Sequence, residues 1–233
     1  MMLETINYEN EFKTLRAEIL KMSLGQESSL RIDTIYYRVG ESIKKNPAST
    51  EEALDVLGKC LEIGCGDQYT VHEAVVALHE AAVVRPDLSD KIFEKFDGVK
   101  NWVEGKAKHE MVAGIDEGYM QSYYWLTNIA ESQPKLAKPA LEKFKEFVQL
   151  PGNYERSLKC AADKLEDFSH FYPDLLSEIQ DTYKEILKSN KLDDKTRQDV
   201  EKAMNYSEKR MQKSIEKRAI QETKTFEKTD LTR

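Results

Sequence analysis

Four prolines set the register of this chain. With Pro47, Pro86, Pro134 and Pro173 each taken as position zero, the residue fifteen places earlier is Ile32, Val71, Tyr119 and Leu158, and eight places earlier stand Val39, Leu78, Leu126 and Leu165. Ten places after zero come Leu57, Phe96, Phe144 and Tyr183, and thirteen places after come Cys60, Val99, Phe147 and Ile186. Proline is excluded from a helix interior but suits a first turn, so each unit reads as helix, turn, helix. Val71 to Phe96, VHEAVVALHEAAVVRPDLSDKIFEKF, is the clearest copy. One helix pair cannot bury its own apolar columns, so units patterned this way have to stack.

The register defines four units, about 30–64, 68–104, 107–150 and 154–190. The proline spacing is 39, 48 and 39, which places nine extra residues between Lys100 and Gly118. That insertion holds Trp102, His109, Met111 and three glycines, and fits either a helical extension with a break or a protruding loop. Ahead of the first unit, residues 3–24 carry Tyr8, Phe12, Leu15, Ile19 and Met22 on one helical face, the pattern of a capping helix. Ser28 or Ser29 can cap the following helix, and the Ser49 to Glu52 spacing fits a capping box. Residues 1–190 therefore read as one helical domain. Residues 191–233 are strongly charged with a thin stripe of Val200, Met204, Met211 and Ile215, which predicts a long terminal helix docked at its start.

With only ten glycines and six prolines, and 33% of residues charged, long helices with wet outer faces fit better than short strands. The expected class is all-α. The net charge of −7 is uneven: residues 191–233 hold twelve Lys or Arg against nine Asp or Glu, leaving the rest at −10. An acidic body repels nucleic-acid phosphates and anionic membrane. The first residues, MMLETINYENEF, lack a basic region followed by an apolar run, and no stretch approaches 18 apolar residues. Three cysteines, Cys60, Cys65 and Cys160, suit reduced thiols better than a disulfide framework. A cytoplasmic chain that does not enter membranes is the expectation.

A proline-bearing turn, the Asp after it in Pro86-Asp87 and Pro173-Asp174, and a period near forty residues together resemble the HEAT and armadillo-like repeat family over about residues 30–190. Ala48 and Lys135 depart from that pattern after the other two prolines. Tetratricopeptide arrays fit less well, because their period is about 34 residues. The resemblance implies an α-solenoid of about four antiparallel helix pairs that binds other proteins and catalyses nothing. It also implies that the second helix of each pair lines a concave face.

Two sets of residues are left over once the apolar columns are assigned. Asp55, Glu94, Glu142 and Asp181 stand eight places after the four prolines, a row that either receives a basic protein or peptide or is only a solvated face. Tyr124 and Trp125 occupy columns that carry Asp, Lys and Arg in other units. With Trp102 in the adjacent insertion, they form either a partner hot spot or a small core of their own.

No metal site, catalytic residue or cofactor is expected. Cys60 occupies an apolar column, and Cys65 and the histidines match no zinc spacing. His72 and His79 share one helical face but stand two turns apart, about 10 Å, too far to chelate one ion. His109-Glu110 lacks the second histidine of a metalloprotease helix, and no phosphate-binding glycine loop appears. A second reading is a HEAT-like DNA-repair glycosylase, with Lys135, Lys138, Lys143 and Lys145 as its basic patch and Trp102 and Trp125 stacking on a base. A third is a lyase-like or chaperone role toward a small molecule, with the insertion walling a pocket.

Overall fold

The computed structural model describes residues 8–28, 30–63, 68–107 and 112–230, and every regular element among them is helical. Helix α1 is Tyr8–Ser23, α2 Ile32–Lys45, α3 Thr50–Ile63, α4 Gln68–Val84 and α5 Ser89–Ala107. Then follow α6 Val112–Ser132, α7 Ala137–Val148, α8 Glu155–Phe171, α9 Leu176–Leu187 and α10 Asp194–Asp230. The all-α expectation holds.

The four prolines open four copies of one turn. Each starts a three-residue 3-10 segment: Pro47–Ser49, Pro86–Leu88, Pro134–Leu136 and Pro173–Leu175. The residue before each proline has φ between −141 and −127 and ψ between 64 and 85. Proline's ring pushes its neighbour out of the helical region, which accounts for those angles. The N–H of that neighbour (Asn46, Arg85, Gln133 or Tyr172) donates to the carbonyl four residues back at 2.8–2.9 Å. Its carbonyl accepts from the N–H three residues on at 2.8–3.0 Å. Backbone groups at the helix ends are thus satisfied inside the turn itself.

Of the predicted side-chain caps, Ser28 accepts the Leu30 N–H at 3.1 Å, whereas the Ser49–Glu52 capping box does not form. The Ser49 hydroxyl donates to the Asn46 carbonyl at 2.8 Å, and Glu52 pairs with Arg16 at 2.9 Å instead of closing a capping box. The Ser28 hydroxyl also donates to Glu18 at 2.8 Å, and Arg31, with no side-chain cap bond, precedes α2. Ser29 lies outside the described residues. The 3-10 turn already consumes the Ser49 N–H, so the Glu52 side chain has no free donor on which to close the box.

Fifteen of the sixteen residues in the four apolar columns are at most 3% exposed; Ile32, at the start of α2, is half-buried. Burying a column of this kind stabilises by about 1.5–3 kcal/mol per large side chain. The inserted residues lengthen the flanking helices: α5 has 19 residues and α6 has 21, against 14 in α3 and 12 in α7. His109 and Met111 lie outside the described residues, as does Cys65 between α3 and α4.

The chain divides into two compact units, Met1–Asn153 and Tyr154–Arg233. In the first, α2 packs on α4 and α4 on α6, while α1 packs on α3, α3 on α5 and α5 on α7. Consecutive partners α2 and α3, α4 and α5, and α6 and α7 also touch, so two rows of helices share a core. Phe12, Leu15 and Ile19 of α1 are buried, which gives the predicted cap helix its place on α3. After α7, the buried Asn153 accepts the Tyr123 hydroxyl at 2.7 Å and donates to the Phe147 carbonyl at 2.7 Å.

In the second unit α8, α9 and α10 pack on one another. Val200 and Met211 of α10 are buried, and the buried Tyr183 hydroxyl donates to the Ala162 carbonyl at 3.0 Å and meets Ser207 at 3.2 Å. Burial raises the Tyr183 phenol far above its ordinary value, so it stays protonated. Farther along α10, Arg218 reaches Asp174 at 2.9 Å.

Candidate functional site

Two surfaces of residues 1–153 carry the residues singled out from the sequence. The first is the face of α3, α5 and α7, with Asp55, Glu94 and Glu142, all exposed. Asp181, also exposed, belongs to the second unit. Helices α3 and α5 come close because two positions lack side chains. A Cβ added at Gly98 would lie 3.0 Å from the Leu61 Cβ and Cδ1, and one at Gly58 would lie 3.2 Å from the Lys95 Cε. A cleft of about 540 Å³ opens there, with Glu62, Glu94, Lys95, Asp97 and Trp102 among its walls.

Lysines answer the acidic groups of this face from nearby positions. Lys95 pairs with Glu94 at 3.0 Å, and Lys143 bridges Asp97 at 2.7 Å and Glu146 at 3.0 Å. Burial by itself pushes the Lys143 ammonium down, but the two carboxylates outweigh it and hold the group above its ordinary value. Lys91 bonds to Glu51, which lowers that carboxyl. In the second unit Lys184 answers Asp181 at 3.0 Å. Lysines thus sit on Glu94 and Asp181 of the row and on its neighbours Glu51, Asp97 and Glu146, and exposed pairs of this sort contribute about 0–1 kcal/mol each.

The second surface lies on the seam of α4 and α6. Tyr124 is 43% exposed and stands edge-on to Trp125, with ring centroids 5.2 Å apart. Trp125 is half-buried, and its ring is held by both α4 histidines: His79 at 4.9 Å in a tilted arrangement and His72 at 6.0 Å edge-on. His72 Nδ1 is 2.8 Å from the Gln121 Oε1, and His79 Nε2 is 3.3 Å from the Ser132 Oγ. Each imidazole thus ties α4 to α6 on one side of the indole. Desolvation lowers the His79 value below 6.5 against the opposing pull of Glu80.

Trp102 does not join Tyr124 and Trp125 at an exposed patch. It is 8% exposed and packs under Gly118, where an added Cβ would lie 3.4 Å from its Cζ3. The inserted helix segments bury it against each other. His72, His79, Gln121 and Ser132 are the site residues that the sequence did not connect to Trp125. The seven-residue spacing of the histidines was legible as one helical face, but which neighbour that face met was not.

Among the described residues there is no group of three or more His, Cys, Asp or Glu able to hold a metal ion, and no helix long and apolar enough to cross a membrane. Cys60 is buried in its apolar column, and Cys160 is half-buried on α8. No family model, curated protein or solved structure matches this chain.

Proposed function

We propose that the chain is a HEAT-like helical-repeat module that binds another protein through the Tyr124–Trp125 surface and has no catalytic step of its own. The observation that carries this reading is the exposed Tyr124 ring set edge-on against a half-exposed indole on packed helices. Rigid aromatic area costs little side-chain entropy to present, and binding hot spots are enriched in Tyr and Trp for that reason. The four equal turns and the two rows of helices support the solenoid part of the proposal, as they leave whole helix faces available for docking. Its setting is a reducing, cytoplasmic one, in keeping with the thiols of Cys60 and Cys160.

The partner covers the aromatic pair with an apolar anchor. A basic peptide along the acidic row is the weaker variant, because Lys95 already pairs with Glu94, and Lys91 and Lys143 sit on the neighbouring Glu51 and Asp97. The same geometry weakens the DNA-repair reading: Lys143 is 11% exposed and engaged with two carboxylates, which removes a member of the basic patch.

Tyr124→Ala tests the proposal, since an exposed residue can be truncated with little effect on folding. Partner recovered from native lysate by the wild type should be lost with Tyr124→Ala and kept with Glu94→Ala. Equal recovery by Tyr124→Ala rejects the surface. Tight, strongly salt-dependent binding to DNA would favour the repair reading.

A further inference from the structure

His79 sits where side chains of three helices meet. Its ring lies against Trp125 of α6, and its Nε2 faces Ser132 of the same helix. Its Nδ1 is 3.8 Å from the Oε1 of Glu80, the same oxygen that Lys44 of α2 reaches at 3.2 Å. Glu41, 3.9 Å from Lys44, is the next charge behind it. Trp125 and Ser132 on α6 do not titrate near neutral pH. Helices α3 and α5 also pack on α4, but the charges acting on His79 come from Glu80 and Lys44.

The packed arrangement suits a neutral imidazole. One ring nitrogen can meet Ser132, and the uncharged ring can lie on the indole without bringing charge into the seam. It also leaves a donor unmet: the Trp125 Nε1–H is buried with no acceptor among the described residues. An imidazolium changes both terms. It needs water or a carboxylate, and Glu80 is within reach only in competition with Lys44. Movement of the ring off the indole toward Glu80 and solvent would meet that need and leave more of the Trp125 ring open to water.

We propose that His79 is a proton-operated latch on the docking surface: protonation draws its ring out of the α4–α6 seam and leaves Trp125 more exposed beside Tyr124. This rests on the reading that the Tyr124–Trp125 surface docks a partner. The step takes up one proton from bulk water and makes or breaks no covalent bond between heavy atoms. Burial of the ring places the transition below the ordinary histidine value of 6.5.

The chain has two tryptophans, so Trp102→Phe leaves Trp125 as the sole indole reporter. On titration from about pH 7.5 to about pH 5, across the range in which histidine changes charge, its emission should shift to the red with far-UV circular dichroism unchanged. The shift should vanish when His79→Gln is added and persist when His72→Gln is added. Should Trp102→Phe not fold, the wild type minus His79→Gln difference titration reads the same step. Flat emission across the range, or an equal shift in His79→Gln, overturns the latch. No partner is needed for this measurement, so it separates the two ideas. A titrating latch with Tyr124→Ala recovering partner normally rejects docking alone, and a flat titration with Tyr124→Ala losing partner rejects the latch alone.

Discussion

The two helix rows of residues 1–153 solve the problem of an outer face differently. On α3, α5 and α7, Glu94 is met by Lys95 and the neighbouring Asp97 by Lys143, and glycines let α3 and α5 close to touching distance. On α4 and α6, an indole lies between two imidazoles with an exposed phenol beside it, and full charges stand off to one side at Glu80 and Lys44. The first face ties part of its charge to itself. The second keeps aromatic area at the surface and a group whose charge changes near physiological pH. A row of like charges is thus a poor guide to a partner until the neighbouring cations are placed.

Deleting the indole tests the second face most severely. Trp125→Ala should destabilise by about 3 kcal/mol, the low end of the range for a core tryptophan because this one is half-buried. Chemical denaturation checks it, and Tyr124→Ala should by contrast leave the midpoint nearly unchanged.

Crowding the first face comes next. Gly98→Val should cost about 1–3 kcal/mol, because the added atoms meet the Leu61 Cβ, which cannot swing away. Thermal melting should show a drop of roughly 2–4 °C per kcal/mol lost. If Gly98→Val melts like the wild type, the helices are not held at this separation.

Gly105→Ala is the contrasting substitution on the same helix. Nothing lies within 4 Å of its added Cβ, so it should stabilise by about 0.5 kcal/mol through helix propensity. Equal effects at Gly98 and Gly105 would erase the distinction between a packed and an open glycine.

The pH dependence separates the faces by sign. His79 has a folded value below 6.5, so across that window the unfolded chain binds more protons than the folded one. Its contribution is present above the unfolded value and is lost as pH falls through the folded one. Stability measured by urea denaturation should therefore decline on acidification below 6.5, and His79→Gln should flatten that decline. The Lys143 bridge titrates in the other direction: a raised ammonium keeps its stabilising charge until strongly alkaline pH. An unchanged slope in His79→Gln would show that the seam does not feel the imidazole charge.

Much of this architecture was written in one dimension. A proline restricts the backbone before and after itself, and at these four matched offsets it opens four equal turns, whereas Pro139 sits in the first turn of α7. The apolar columns at −8, +10 and +13 were legible for the same local reason, as helical spacing fixes which residues share a face. Even the exposure of Asp55, Glu94, Glu142 and Asp181 followed from that spacing.

What the spacing could not fix was which face met which. Trp102 and Trp125 looked equivalent as leftover aromatics, yet one packs under Gly118 and the other lies between His72 and His79. The capping box at Ser49 and Glu52 was reasonable locally and failed because the 3-10 turn already uses the Ser49 N–H, while Glu52 meets Arg16, far away in sequence. Periodicity sets the orientation of a side chain about its own helix axis. The partner it meets depends on helix separation and stagger, and those are set by the packing of the whole row.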